Sequence, residues 1–137
     1  VRSPQATRPW QHVLEPLSGY LLLATKLYES PKKYSGSFNF GPRRNSIHTV
    51  KELARKIIHY WGDGAIRLHK GNSGFHETKL LQLDCEKSKR ALGWRPRWGF
   101  DRTILETVRW YEEASKKKCD ILSLSRSQIR AYCGDKQ

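Results

Sequence analysis

The stretch that organises this chain runs from Ala6 to Leu17 and reads Ala-Thr-Arg-Pro-Trp-Gln-His-Val-Leu-Glu-Pro-Leu. Arg8 precedes a proline, which favours an extended backbone at the arginine. Pro16 suits the first turn of a helix, because the N–H that it lacks would have no partner there. The pattern predicts a strand end, a polar turn and a helix start, which is where α/β proteins place ligand-binding side chains. The alternative is an ordinary loop whose Trp10 belongs to the core.

The composition indicates one folded domain over residues 1–137. Five Trp, six Tyr and four Phe argue against disorder. No apolar run approaches the roughly 20 residues of a membrane span, and the first residues lack the pattern of a signal peptide. The three cysteines are widely spaced and have no metal-ligand pattern. We therefore expect a cytoplasmic domain with reduced thiols, no metal and no membrane contact.

The net charge of +13 makes an anionic partner plausible: nucleic acid, a membrane surface or a phosphorylated small molecule. The alternative is a basic surface that only contacts solvent. The basic residues are spread along the chain, with short clusters at Lys32-Lys33, Arg43-Arg44 and 116–118. Because no nucleic-acid-binding motif occurs, binding of nucleic acid is the less favoured interpretation.

Apolar periodicity predicts helices over residues 15–28, 50–61 and 85–92, and two more that start near residues 101 and 125. Thr49 and Glu52 have the spacing of a capping box, and glycines follow the second and third helices. Asp84, Asp101 and Ser125 are predicted N-caps, the last with Gln128 at the capping-box position. Gly19 within the first helix predicts close packing against a neighbour.

Short strands are predicted from alternating or extended patterns. They lie at the end of residues 1–6, at 37–40 and at 65–69, with a further extended piece at 80–83. The predicted fold class is α/β, with short strands mixed among helices.

Two stretches, residues 7–20 and 83–96, carry a family resemblance, to which Trp110-Tyr111 adds. They resemble the C-terminal part of extended short-chain dehydrogenase/reductases that act on nucleotide sugars, in particular CDP-glucose 4,6-dehydratases. Residues 39–42 and 128–132 fit as well, so the resemblance extends from Val1 to about Tyr132. It implies a substrate-binding C-terminal region without the Rossmann-type, dinucleotide-binding half, and a place in the biosynthesis of polysaccharide sugars such as those of O-antigen.

The resemblance also implies binding residues. Arg8 would approach the substrate diphosphate, since a guanidinium can bind phosphate oxygens bidentately. His76 is the nearest candidate for a second cation, with Glu77 orienting it; the alternative for this pair is an ordinary surface loop. Trp10, Gln11 and His12 are candidates for the substrate pocket.

The catalytic parts of that family are missing from the sequence. The family uses NAD, yet no Gly-x-x-Gly-x-x-Gly or Gly-x-Gly-x-x-Gly occurs here. Tyr28 and Lys32 match Tyr-x-x-x-Lys only formally, because Lys32 follows Pro31 and the pair would not share a helical face. We therefore expect no cofactor site and no catalytic residue in this chain.

The resulting hypothesis is a nucleotide-sugar-binding region that does not catalyse alone. The alternative is a non-enzymatic basic module, derived from that family, that binds nucleic acid or a protein. Without a Rossmann half, unpaired strand edges and exposed apolar helix faces predict marginal stability or self-association.

Overall fold

The protein, described here from a computed structural model that covers residues 1–44, 46–68, 81–116 and 120–134, is mostly helical. Six helices and two short strands occur within these ranges. In chain order they are β1 (Thr7–Arg8), α1 (Leu14–Glu29), α2 (Pro31–Tyr34), β2 (His48–Thr49), α3 (Val50–Trp61), α4 (Glu86–Leu92), α5 (Phe100–Ala114) and α6 (Ile121–Gly134). The predicted mixture of helices and short strands is thus confirmed in its coarse form, with less strand than expected.

The two-stranded sheet of β1 and β2 connects the start of the chain to the start of α3. β1 and β2 are antiparallel, with Thr7 opposite Thr49 and Arg8 opposite His48. The N–H of Val50 also donates to the carbonyl of Ala6 at 2.9 Å. The polar turn after Arg8 is therefore held between this small sheet and α1.

The strand predicted over residues 37–40 does not form. No described strand lies beside this segment, and side chains satisfy its carbonyls instead. Lys87 Nζ donates to the Ser37 carbonyl at 2.9 Å, and the Ser88 hydroxyl donates to the Asn39 carbonyl. Gln11 Nε2 donates to the Phe40 carbonyl at 3.0 Å. The alternation of apolar and polar residues could not reveal that side-chain hydrogen bonds would take the place of a neighbouring strand.

The other predicted strands also need correction. Residues 1–6 precede β1 without being part of it, and residues 65–68 and 81–83 are irregular. His69 and Leu80 lie outside the described residues. Residues 65–68 and 81–83 contain a short apolar or extended pattern, but no described strand lies alongside to complete a ladder.

The ends of α3 and α4 confirm the sequence prediction. Thr49 Oγ1 accepts from the Glu52 N–H at 3.1 Å and Glu52 Oε2 accepts from the Thr49 N–H at 2.6 Å, which is a complete capping box. Gly62 and Gly93 follow α3 and α4 with φ of +88° and +71°, a left-handed conformation that favours glycine.

Three other helix starts differ from the prediction. Glu86 begins α4 behind Cys85, although the Asp84 carboxylate does accept from the Glu86 N–H at 3.0 Å. Phe100 begins α5 behind Gly99, so that Asp101 lies in the first turn and pairs with Lys56 at 2.6 Å.

The last helix, α6, starts earlier than Ser125, the predicted cap. It begins at Ile121, and the Asp120 carboxylate accepts from the Ser123 N–H at 3.1 Å. Gln128 is accordingly inside the helix, where its Nε2 donates to the Glu106 carbonyl at 2.6 Å. The capping-box interpretation of Gln128 is wrong because Asp120 supplies the cap.

The buried side chains form two apolar clusters. The first contains Tyr34, Phe40, Leu92 and Trp94, against which leucines of α1 pack. The second contains residues of α5, with Trp10, Leu53 and Tyr60 packed against it; its buried members are Phe100, Ile104 and Val108. Trp10 is therefore partly buried at the edge of the second cluster.

Glu15 joins three separate parts of the chain between these clusters. It is fully buried, and its side-chain oxygens accept from the N–H groups of Arg97 (3.0 and 3.1 Å) and Trp98 (2.7 Å). Oε2 also accepts from the Tyr132 hydroxyl at 2.8 Å. Burial, above all, raises the pKa of Tyr132 far above its ordinary value, so this hydroxyl keeps the proton that it donates. Glu15 thus ties the start of α1 to residues 97–98 and to α6.

Ser18 extends this network by one turn of α1. Its hydroxyl lies 3.0 Å from the Tyr132 hydroxyl and accepts from Trp94 Nε1 at 3.0 Å. Ser18 Oγ in turn donates to the Glu15 carbonyl at 2.7 Å. The buried polar atoms between α1, the 94–98 segment and α6 therefore satisfy one another.

Gly19 confirms the predicted close approach. A Cβ atom placed there would lie 2.6 Å from two ring carbons of Phe40. Both residues are buried, so the ring has no room to retreat. The lack of a side chain at this position allows α1 to lie directly on the 37–40 segment.

We expect the substitution Glu15→Ala to lower the free energy of unfolding by about 3 kcal/mol or more, since three buried donors lose their acceptor. Urea unfolding followed by circular dichroism measures this change. Glu112→Ala, on the exposed side of α5, is the matched control and should stay within about 0.5 kcal/mol of the unsubstituted chain. A loss below about 1 kcal/mol for Glu15→Ala would contradict the role given to this carboxyl group.

Gly19→Ala should destabilise the protein by about 1–3 kcal/mol through overpacking against Phe40. Intrinsic helix propensity works in the opposite direction, because alanine is favoured over glycine by roughly 1 kcal/mol. Gly134→Ala in α6, where an added Cβ meets no atom within 4 Å, provides the control and should be neutral or stabilising. Equal thermal unfolding midpoints for the two variants would refute the packing argument.

Candidate anion-binding site

Arg8 stands at the entrance to a small hollow beside β1. Its side chain is half-buried, and Nη1 donates to the Thr7 carbonyl at 2.8 Å. The pairing with His48 fixes its backbone. The hollow is bounded by three stretches of the chain; besides Arg8 it is lined by Pro9, Pro42, Arg43, Arg44, Ser46, Ile47 and residues 81–83.

A larger cleft, of about 710 Å³, shares Pro42, Arg43, Arg44 and Leu83 with this hollow. Its other walls come from α4 and from the segment that follows α4. They are lined by Gly41, Cys85, Glu86, Lys89, Trp94, Arg95, Pro96 and Arg97. Arg8 and the larger cleft are therefore joined by the Arg43-Arg44 turn.

The cleft is strongly cationic. Four arginines and one lysine line it, against a single glutamate, Glu86. Within the described part of the chain, the guanidinium groups of Arg43 and Arg95 have no hydrogen-bond or ion-pair partner, and both residues are exposed. Cationic side chains without an internal partner, gathered at one cleft, favour an anionic ligand.

The remaining cations are only partly neutralised. Arg44 Nη2 lies 3.3 Å from Asp84 Oδ1, and Lys89 Nζ lies 3.5 Å from Glu86 Oε1. These exposed pairs contribute at most about 1 kcal/mol each, so an anion can compete for the cations. The pKa of Asp84 is lowered first by the Glu86 N–H and then by Arg44, which keeps this carboxylate charged. Arg97 instead stabilises the position of α6, because its Nη1 donates to the carbonyls of Tyr132 and Cys133.

Cys85 lies on the same cleft but has no feature of a nucleophile. Its thiol is half-buried and points to the Leu83 carbonyl at 3.8 Å. Burial raises the pKa of this thiol, whereas a reactive cysteine needs a lowered one. The cleft therefore offers charge and shape for binding, without an activated group.

The structure does not bring Trp10, Gln11 and His12 to the cleft with Arg8. Trp10 Nε1 donates to the His48 carbonyl at 3.0 Å, and Gln11 and His12 line a hollow between α1, α5 and α6. His12 is buried, with its ring centre 4.8 Å from that of Trp98, and its Nδ1 accepts from the Leu14 N–H at 3.3 Å. These contacts support the turn, and a role for the three residues in a substrate pocket stays a prediction.

His76 and Glu77, the other candidate site residues, lie outside the described residues. The cations that the structure places near Arg8 are Arg43 and Arg44, which sequence reasoning treated only as part of the general basicity. Their position after Gly41-Pro42, at the end of a predicted strand, was the signal that could have identified them, because α/β proteins bind ligands there.

The described residues contain no group of three or more His, Cys, Asp or Glu side chains that could hold a metal ion. Gly62 and Gly64 do not form the turn that the pyrophosphate of NAD needs. Gly62 and Gly64 follow the C-terminus of α3, where carbonyl groups and the negative end of the helix dipole lie. A pyrophosphate needs the opposite end, a Gly-rich turn at a helix N-terminus.

Comparison with known proteins gives one clear relationship. The chain is similar to part of a CDP-glucose 4,6-dehydratase. That protein, from Salmonella typhimurium, is 42% identical over 132 residues, which are 96% of this chain and 36% of the dehydratase. The chain thus spans about a third of the length of its relative, and no family model matches it. The resemblance to CDP-glucose 4,6-dehydratase that the sequence predicted is confirmed, in agreement with a correspondence to the C-terminal part.

None of the helices in the described ranges is both long and apolar enough to cross a membrane.

Burial of His12 predicts a pH dependence of stability. Burial lowers the pKa of His12 below 6.5, so in acid the unfolded chain takes up a proton that the folded chain does not. The free energy of unfolding should therefore decrease as the pH falls below about 6.5, and His12→Gln should make this dependence shallower. His59→Gln, at an exposed position of α3, should leave the slope unchanged. Urea unfolding between pH 5 and 8 tests this, and equal slopes for His12→Gln and the unsubstituted chain would contradict it.

Proposed function

We propose that this chain binds the diphosphate of a nucleotide sugar of the CDP-glucose type in the cleft between Arg8 and α4. The observation that carries the proposal is that Arg8 and the Arg43-Arg44 turn line one hollow that opens on a cationic cleft. Arginine suits this ligand because its planar guanidinium can donate two parallel hydrogen bonds to phosphate oxygens.

The size and lining of the cleft support a small molecule as the ligand. A volume of about 710 Å³ lies within the roughly 300–1,000 Å³ of small-molecule sites. The lining combines cations with the buried Trp94 ring and two prolines, Pro42 and Pro96. The arginines would hold the phosphates, and the apolar surfaces would contact the base or the sugar.

The comparison supports the same ligand class. The relative is a CDP-glucose 4,6-dehydratase, so its substrate is a nucleotide sugar, and Arg8 lies in a stretch that resembles that family. The second cation of the diphosphate site would be Arg43 or Arg44, and His76 remains the sequence-based candidate for the same role. The cytoplasmic location expected from composition belongs to the same proposal.

The proposal assigns binding and no reaction to this chain. The sequence lacks the Gly-rich motif for NAD, and Tyr28 and Lys32 lie in different helices, α1 and α2. Tyr132 and Lys136 have the same Tyr-x-x-x-Lys spacing, but the Tyr132 hydroxyl donates to Glu15, and Lys136 lies outside the described residues. Cys85 is not activated. Conversion of CDP-glucose by this chain with added NAD would refute this part of the proposal.

Calorimetric titration with CDP-glucose tests the binding site. Arg8→Ala should raise the dissociation constant about tenfold to a hundredfold, because a charged hydrogen bond contributes roughly 1.5–3 kcal/mol. Arg126→Ala removes an exposed charge from α6, outside the cleft, and should leave the constant within about twofold. CDP should bind nearly as well as CDP-glucose and free glucose should not bind. Equal losses for the two variants would show that only net charge matters.

The net charge supports a second candidate function, a non-enzymatic basic module that binds nucleic acid. Titration of a DNA oligomer at several salt concentrations separates the two. Affinity for DNA that falls steeply with salt, without any response to CDP or CDP-glucose, would favour the module and overturn the nucleotide-sugar site.

A further inference from the structure

Two consecutive residues of the polar turn before α1 hold the two ends of one loop. We define the arginine loop as residues 41–44, 46 and 47. Gln11 Nε2 donates to the Phe40 carbonyl at 3.0 Å, immediately before this loop. Trp10 Nε1 donates to the His48 carbonyl at 3.0 Å, immediately after it. One dipeptide therefore closes the arginine loop with two side-chain hydrogen bonds.

The same dipeptide follows Arg8 closely in the chain. Only Pro9 separates Arg8 from it, and the backbone of Arg8 pairs with His48 in the sheet. Pro9 and Pro42 both line the hollow beside Arg8. A proline fixes its own φ and restricts the residue before it, so both segments are stiff. Arg8 and the arginine loop are thus short, stiff segments that share their anchors.

The core holds both anchors in place. The Phe40 ring is 6% exposed, lies edge-on to Trp94 with ring centres 5.1 Å apart, and occupies the space left by Gly19. The His48 ring stacks on that of Phe100, with ring centres 3.6 Å apart. The two ends of the arginine loop are therefore attached to fixed points, one in each apolar cluster.

We infer that Trp10 and Gln11 are positioning residues that clamp the arginine loop at a fixed spacing from Arg8, and that this spacing selects two adjacent phosphates over one. The inference rests on the proposed diphosphate site, because it concerns how the cations of that site are held. A ligand that reaches both Arg8 and the loop gains from cations that are already ordered, since ordering them on binding costs free energy. A single phosphate can be held by one guanidinium and gains little from the spacing.

The surroundings of Gln11 favour positioning over contact with a ligand. Neither Gln11 nor Trp10 lines the hollow or the cationic cleft. Gln11 Oε1 is buried without a hydrogen-bond partner among the described residues. Gln11→Met removes this unpaired acceptor together with the bond to Phe40, and the two effects oppose each other. We therefore expect the variant to fold with little change in stability.

Calorimetric titration with CDP and CMP tests the clamp. Gln11→Met should raise the dissociation constant for CDP about tenfold, the cost of ordering a loop cation on binding, and leave that for CMP within about twofold. Gln128→Met is the matched control, because Gln128 Nε2 also donates to a carbonyl, that of Glu106 at 2.6 Å, but outside the hollow and the cleft. This control should bind both ligands as the unsubstituted chain does. Equal weakening of CDP and CMP by Gln11→Met, or no weakening of either, would overturn the inference.

Trp10→Phe removes the other hydrogen bond of the clamp and keeps an aromatic ring against the second cluster. It should also weaken the binding of CDP, by about threefold to tenfold, and leave that of CMP nearly unchanged. Trp110→Phe removes a similar bond, from Nε1 to Ser125 Oγ at 3.0 Å, and should leave both affinities unchanged. Equal CDP affinities of the two variants would overturn the role given to Trp10.

Removal of the loop cations separates positioning from direct contact. In a chain that carries both Arg43→Ala and Arg44→Ala, Gln11→Met should have no further effect on the affinity for CDP, since the loop then has no cation to place. A further loss of affinity in that chain would mean that Gln11 itself contacts the ligand, and would overturn the positioning role.

Amide hydrogen exchange tests the clamp without a ligand. The Ser46 N–H donates to the Arg43 carbonyl at 2.8 Å, so its exchange rate reports on the arginine loop. Exchange at Ser46 should be faster in Gln11→Met than in Gln128→Met. Equal exchange rates in a chain that binds CDP would overturn the clamp and leave the proposed function intact. Faster exchange in Gln11→Met, with no binding of CDP by the unsubstituted chain, would instead overturn the proposed function and the selectivity for two phosphates.

Discussion

The fold depends on a buried carboxyl group that holds three distant segments together. Glu15 has no exposed surface, and its acceptors are satisfied by two backbone N–H groups of residues 97–98 and by Tyr132. Such a group is costly to bury unless each of its partners is in place. The start of α1, the segment after α4 and the end of α6 are therefore constrained to adopt their positions together.

This constraint also shapes the candidate site. Trp94, Arg95, Pro96 and Arg97 form one side of the cationic cleft, and Glu15 binds the backbone at the end of this segment. Arg8 lies seven residues before Glu15, on the strand that leads into the same turn. One short stretch of sequence thus supplies Arg8 to the hollow beside the cleft and, through Glu15, anchors one side of the cleft itself.

Local signals predicted well the features that depend on neighbouring residues. The capping box at Thr49 and the terminal glycines of α3 and α4 follow from short-range geometry. Gly19 indicated a close approach, but its partner, Phe40, was not predictable from the local sequence. Features that need a distant partner were not predictable in this way. The segment 37–40 alternates like a strand, but its carbonyls bind Gln11, Lys87 and Ser88.

The same difference between local and long-range features applies to the candidate site. The Arg8-Pro9 pattern and the family resemblance made Arg8 a candidate from the sequence, and this role stays a prediction. The proximity of Arg43 and Arg44 depends on how the 41–44 turn returns to β1, and the role of Glu15 depends on residues about 80 and 117 positions away. The hydrogen-bond contacts of Trp10 and Gln11 are likewise long-range and turn both side chains toward the core rather than toward the cleft.

The distribution of charge gives the protein two surfaces with opposite requirements. The cleft gathers cations whose mutual repulsion an anion would relieve, and its binding should weaken with salt. The exposed apolar residues of α1 lie in a stretch, residues 16–25, that contains no charged residue, so salt should not weaken a contact made there. Glu15 and Ser18 direct polar atoms of α1 inward, toward Trp94 and Tyr132, whereas Leu17, Tyr20 and Leu21 are exposed. The buried network that anchors one side of the cleft therefore also determines which side of α1 faces the interior.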